Sequence, residues 1–123
     1  MKELAYVVAQ PYSSADFQHG PIALVSSGFP VFAVATTGKV FHELAELITR
    51  LKEKHQADLF LISDRQELLE LADCPLSLPE GIPEWLSPMV TIIPAQLLSY
   101  HLTVIKGFDP DSPRGLKKIT LTQ

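Results

Sequence analysis

Cysteine is almost absent from this chain: Cys74 is the only one in 123 residues. An intramolecular disulfide is excluded, and a reducing, cytoplasmic compartment is the simplest expectation. Clustered charge is missing too. Ten Lys and Arg against fourteen Asp and Glu leave a net charge of −4, and the basic residues are scattered. That distribution argues against nucleic acid as a partner, and an anionic ligand would need a local positive site. No apolar run of about 18 residues is free of polar breaks, so no membrane span is expected. The opening Met1-Lys2-Glu3-Leu4 lacks the basic start and apolar stretch of a signal peptide. Also missing are a Walker loop, G-x-G-x-x-G, G-x-S-x-G and paired cysteines. His19, His42, His55 and His101 show no metal-like spacing, and Asp109 and Asp111 lack the rest of a calcium loop. The expectation is therefore no metal and no cofactor.

What is present suits one soluble domain. Hydrophobic residues make up 46% and charged residues 20%, ordinary values for a folded chain of this size. A single domain over residues 1–123 is expected, without internal repeats. Met1–Ala9 reads as the tail of a helix, interrupted by Pro11. Ser13 with Asp16 reads as a capped helix start. Pro30–Ala35 is a continuous apolar run, as in a strand buried on both faces. Val40–Lys54 has the spacing of an amphipathic helix, with His42 and His55 on or beside its solvated side. Ala57–Ser63 is a second strand, Asp64 and Glu67 form a capping pair for a short helix, and Cys74–Leu78 is a third strand. From Ser87, with Pro88 in the first turn, a long helix runs to about Lys106 and ends at Gly107. That helix is apolar all round, which predicts burial on several sides, one of them against another chain or a missing segment. Alternating strands and helices imply a three-layer α/β domain with a parallel sheet, whose central strands are Val31–Ala35 and Leu59–Ile62.

Two places carry chemistry. Thr36-Thr37-Gly38-Lys39 joins a buried strand to a helix N-terminus, where free N–H groups and the helix dipole favour an anion. His19 sits in a serine-bearing loop before Gly20-Pro21, where an imidazole can act near neutral pH.

The segments Pro11–Val25, Pro94–His101 and Asp109–Lys118 together resemble the SIS (sugar isomerase) family. The likeness is to the second SIS domain of the isomerase half of glutamine–fructose-6-phosphate aminotransferases. It extends to glucosamine-6-phosphate deaminases and tagatose-6-phosphate ketose/aldose isomerase-like proteins. The resemblance covers essentially the whole chain. It implies a Rossmann-like SIS fold, truncated at its N-terminus, since family members carry another strand and most of a helix ahead of Glu3. It implies an isomerase or deaminase acting on phosphosugars, with a non-catalytic sugar-phosphate-binding or subunit-interaction module as the alternative. Three catalytic positions follow from it. Glu3 matches the glutamate that moves a proton between C1 and C2, and His19 the histidine that assists ring opening in a neighbouring subunit's site. Lys118 matches the lysine near the sugar carbonyl. Ser13, Ser14, Thr37 and Lys39 are the candidate substrate-binding residues. A homodimer or higher homo-oligomer is the expected assembly. The chain alone is expected to be inactive, because most of the family's phosphate-binding loop lies in a first SIS domain.

Overall fold

The computed structural model describes residues 1–115. They form two compact units. One is Tyr12–Pro94; the other is Met1–Pro11 with the chain from Ala95 on.

The first unit is built on a parallel sheet of three strands in the order β1 (Pro30–Ala35), β2 (Asp58–Ser63) and β3 (Cys74–Ser77). The register sets Val31 beside Leu59 and Ala35 beside Ser63, then Phe60 beside Cys74 and Ile62 beside Leu76. Helices flank the sheet: α1 (Ser14–Gln18), α2 (Phe41–Glu53) and α3 (Gln66–Leu69). Parallel pairing of β1 with β2 through α2 is the crossover expected from alternating apolar strands and an amphipathic helix. Phe41, Leu47, Ile48 and Leu51 are the buried stripe of α2, and they join Ala35, Leu59, Leu61, Leu68 and Leu69 in one core. Ser63, at the end of β2, is fully buried and donates to the Ala35 carbonyl at 2.6 Å, which ties the ends of the two strands together.

The strand positions differ from expectation in one respect. β2 is central, but among the described residues β1 is an edge and pairs only with β2. Its pattern alternates instead of being buried throughout. Val31 and Ala33 pack on the core, while Phe32 and Val34 stay 41% and 40% exposed. A strand of a parallel sheet is normally covered on both faces, so the apolar run reports a face that this unit leaves open. The capping pair expected at Asp64 and Glu67 does not form. Arg65 is the cap residue of α3, and Asp64 turns inward to accept the Thr37 N–H at 2.8 Å. His55 is half-buried, with its Nδ1 3.3 Å from the Val25 carbonyl oxygen, and is not simply solvated.

The long helix α4 runs over Ser87–Ile105. Its second half, from Ala95, belongs to the other unit. It stops where Gly107 adopts φ +75°, as a left-handed glycine terminator should. Together with the preceding 3-10 turn it spans Glu84–Ile105, long and apolar enough by length and composition alone to cross a membrane. The chain covers fewer sides of this helix than its apolar residues call for, as expected of a helix with more apolar faces than one small domain can bury. Leu97, Tyr100, Val104 and Ile105 are exposed, and only Ser99 and Thr103 of the second half are buried. The helical tail expected over Met1–Ala9 is instead one turn, Ala5 N–H to Met1 carbonyl at 3.0 Å, ended by Tyr6 at φ +51°.

Candidate functional site

His19 is placed by α1. Ser13 caps this short helix, its Oγ accepting the Asp16 N–H at 3.1 Å and donating to Asp16 Oδ2 at 2.7 Å. Ser14 Oγ donates to Glu43 Oε1 on α2 at 2.8 Å, so both hydroxyls of the candidate pair are engaged within the fold. Arg50 of α2 donates to Gln18 Oε1 at 2.5 Å. These ties pin α1 to α2, and His19 closes α1 with its N–H on the Asp16 carbonyl and its side chain exposed.

Thr37 and Lys39 follow β1. Their backbone N–H groups are both taken by carboxylates of the chain: Thr37 by Asp64, and Lys39 by Glu84 Oε1 at 3.0 Å. Beside them, at the carboxyl ends of β1 and β2, lies a cleft of about 380 Å³. Thr37, Asp64, Arg65, Gln66, Glu67, Glu80 and Gly81 line it. Arg65, the one cation in this lining, is paired with Glu67 at 2.7 Å and stacked over the Phe41 ring.

Glu3 lies in the other unit, exposed on the turn that Tyr6 ends. That turn is held by polar groups of α4 and of the residue just past its end. The Met1 ammonium donates to Ser99 Oγ at 2.9 Å, and Lys106 Nζ donates to the Ala5 carbonyl at 2.7 Å. Residues 99, 103 and 106 share one helix face, since three and four positions make about one turn. The Tyr6 ring meets Phe108 edge-on at 4.9 Å. The Arg114 guanidinium lies 4.8 Å from both ring centres, and the Arg114 backbone N–H donates to the Tyr6 hydroxyl at 2.7 Å. Lys118 lies outside the described residues. The structure thus joins Glu3 and the segment that leads to Lys118 in one unit, and groups Ser13, Ser14, His19, Thr37 and Lys39 in the other. Sequence reasoning missed Tyr6, Arg114, Asp64 and Glu84 as organisers of these places. Glu84 lies 45 positions from Lys39 and has no local signal. Asp64 had one, but helix capping was the nearer explanation.

A parallel α/β sheet flanked by helices, with polar groups gathered at the carboxyl ends of its strands, defines the class. Residues 1–106 match the SIS domain model, and the chain belongs to the SIS domain family. It is 42% identical over 118 residues to a glutamine–fructose-6-phosphate aminotransferase (isomerizing) of Thermococcus kodakarensis, covering 96% of this chain and 19% of that protein. It is 39% identical over 119 residues to the protein of the same name from Bacteroides thetaiotaomicron, with the same coverage. Among solved structures, the C-terminal domain of glucosamine-fructose-6-phosphate aminotransferase from Francisella tularensis matches with a TM-score of 0.76 at 31% identity. That match covers 90% of this chain and 31% of the other. The chain therefore spans about a fifth of the length of the curated relatives it matches.

Proposed function

We propose that this chain forms the C-terminal part of the second sugar-isomerase domain of a cytoplasmic, self-associating phosphosugar enzyme of the glutamine–fructose-6-phosphate aminotransferase kind. In this reading Glu3 is the base that carries a proton between C1 and C2 of an open-chain sugar phosphate. His19 assists ring opening, and the Lys118 amine attacks the carbonyl to form a Schiff base with loss of water. Ser13 and Ser14, ahead of His19, contribute polar contacts to the sugar. A carboxylate, an imidazole and an amine are the groups such chemistry needs.

The observation that carries the reading is the anchor at Tyr6. It clasps Arg114 three residues beyond Glu3. Lys118 follows four positions after Arg114 in the sequence. The Thermococcus kodakarensis relative aligns with 118 residues of this chain.

The test is a chimera in which this chain replaces the matching 118 residues of the Thermococcus kodakarensis relative. It should convert fructose 6-phosphate, and Glu3→Gln or His19→Ala should lower kcat by about 10²–10⁴. Borohydride reduction in the presence of fructose 6-phosphate should leave an adduct on Lys118 and none in Lys118→Ala. An active chimera indifferent to Glu3→Gln overturns the assignment.

A further inference from the structure

The turn between β1 and α2 has the makings of an anion cradle. α2 is 13 residues long and no side chain caps its N-terminus, so its positive end faces this turn uncapped. Gly38 keeps the approach to the backbone clear without needing left-handed dihedrals. Yet the cradle is filled from within. Glu84 Oε1 accepts the Lys39 N–H at 3.0 Å, and a methyl group added at Gly38 would come within 2.7 Å of that same oxygen. The carboxylate occupies the space that the missing side chain leaves.

Glu84 is held there by its own backbone. It opens the 3-10 turn Glu84–Leu86, in which Leu86 N–H bonds the Pro83 carbonyl at 2.8 Å. Ser87 Oγ donates to the Glu84 carbonyl at 2.9 Å. The second amide of the cradle, Thr37 N–H, is capped by the buried Asp64. Glu67 and Glu80 line the adjoining cleft, and its one cation, Arg65, is neutralised by Glu67. The Lys39 ammonium is the remaining positive charge on the turn.

We infer that Glu84 is an intramolecular anion seated in the β1–α2 turn, which closes this turn to the phosphate of a sugar phosphate. Two anions cannot share the Lys39 amide and the space over Gly38. An incoming phosphate would have to evict Glu84 and then face Asp64 and Glu80 with little compensating charge. Thr37 and Lys39 then serve to bind the chain to itself, and phosphate recognition falls to other residues. This inference does not depend on Glu3, His19 or Lys118.

Titration with inorganic phosphate, read by the amide resonances of Thr37, Gly38 and Lys39, tests it. The wild-type chain should show no saturable shift at these amides. Glu84→Ala should bind phosphate there at least about tenfold more tightly than wild type. Glu84→Gln, which keeps the shape of the side chain and hence the local fold, should gain less than Glu84→Ala, because its amide removes the charge but still fills the space over Gly38. Phosphate binding to wild type as tight as to Glu84→Ala overturns the inference, because Glu84 then excludes nothing. Silence at these amides in wild type and both variants also overturns it, because the turn is then no anion cradle. Neither result bears on turnover by the chimera, so the two readings fail separately.

Discussion

The two units of this chain are stabilised by different means. The unit Tyr12–Pro94 is held by a dry core. Leu59 and Leu61 of β2 are fully buried under Ile48 and Leu51 of α2, and the polar contacts sit at its rim. The unit of Met1–Pro11 and the chain from Ala95 inverts this. Its contacts are polar and aromatic: an ammonium on Ser99, Lys106 on the Ala5 carbonyl, and Arg114 on two rings. Meanwhile Leu97, Tyr100, Val104 and Ile105 face outward, Ile105 at 82% exposure. A core of aliphatic side chains is sufficient in itself. Among the described residues, this half of the helix buries its small polar residues and exposes large apolar ones, the reverse of the sheet unit.

The comparison is sharpest at paired leucines. Leu61→Ala should cost about 2–5 kcal/mol of stability, because the surroundings of a fully buried leucine collapse only partly around the cavity. Leu97→Ala removes the same atoms from a side chain that is 53% exposed, and should cost no more than about 0.5 kcal/mol. Chemical denaturation of the two variants beside wild type checks this. A large loss at Leu97 would break the comparison and mean that a second copy covers the helix. Sedimentation at micromolar concentration, showing a dimer that Leu97→Ala dissociates, would identify that cover.

The next effect is smaller and local. Tyr6→Ala removes the edge-on pair with Phe108, the cation–π contact with Arg114 and the acceptor of the Arg114 N–H. These together are worth about 1–2 kcal/mol at exposed sites. The loss should appear as faster amide exchange at Arg114 with little change in the melting of the sheet unit. Tyr6→Phe keeps the ring and should lose only the hydrogen bond, about 0.5–1 kcal/mol. If both variants melt the sheet unit equally with their own, the two units are one cooperative structure.

Much of the sheet unit was legible because its signals are local and periodic. The spacing of Phe41, Leu44, Leu47, Ile48 and Leu51 marks α2, and the runs at Pro30–Ala35 and Ala57–Ser63 mark two parallel strands. Ser13 and Asp16 announce α1, and Gly107 the end of α4. Legibility failed where long-range contacts decide. Pattern alone does not show that, among the described residues, nothing pairs with the outer side of β1, nor that Tyr6 takes a left-handed backbone under its contact with Phe108. The catalytic candidates were legible only through resemblance. The carboxylates that close the β1–α2 turn come from 27 and 45 residues away, a distance no spacing rule spans.

The smallest effect tests whether rim contacts of the sheet unit matter at all beside its core. Lys52, in the last turn of α2, donates to both oxygens of Asp73 at 2.6 and 2.7 Å, and Asp73 Oδ2 also accepts the Leu59 N–H at 2.8 Å. The Lys52 hydrogen bond first, and the Leu59 amide second, hold the Asp73 carboxyl below its ordinary value of 3.8. A carboxyl group depressed in the folded state binds protons more readily when unfolded. Its contribution is therefore complete above the unfolded carboxylate range and is lost as pH falls through the lowered folded value. The side chains are 32% and 45% exposed, so water and salt screen the pair. Asp73→Asn should lower the melting temperature slightly near neutral pH. The gap to wild type should shrink below about pH 4 and narrow further in high salt. A gap that stays constant from neutral to acid pH would show that Asp73 acts through its hydrogen-bonding shape at the Leu59 amide, which asparagine reproduces poorly, and not through its charge. The polar rim of the sheet unit would then work as the hydrogen bonds to Ser99 and the Ala5 carbonyl do in the other unit, by geometry.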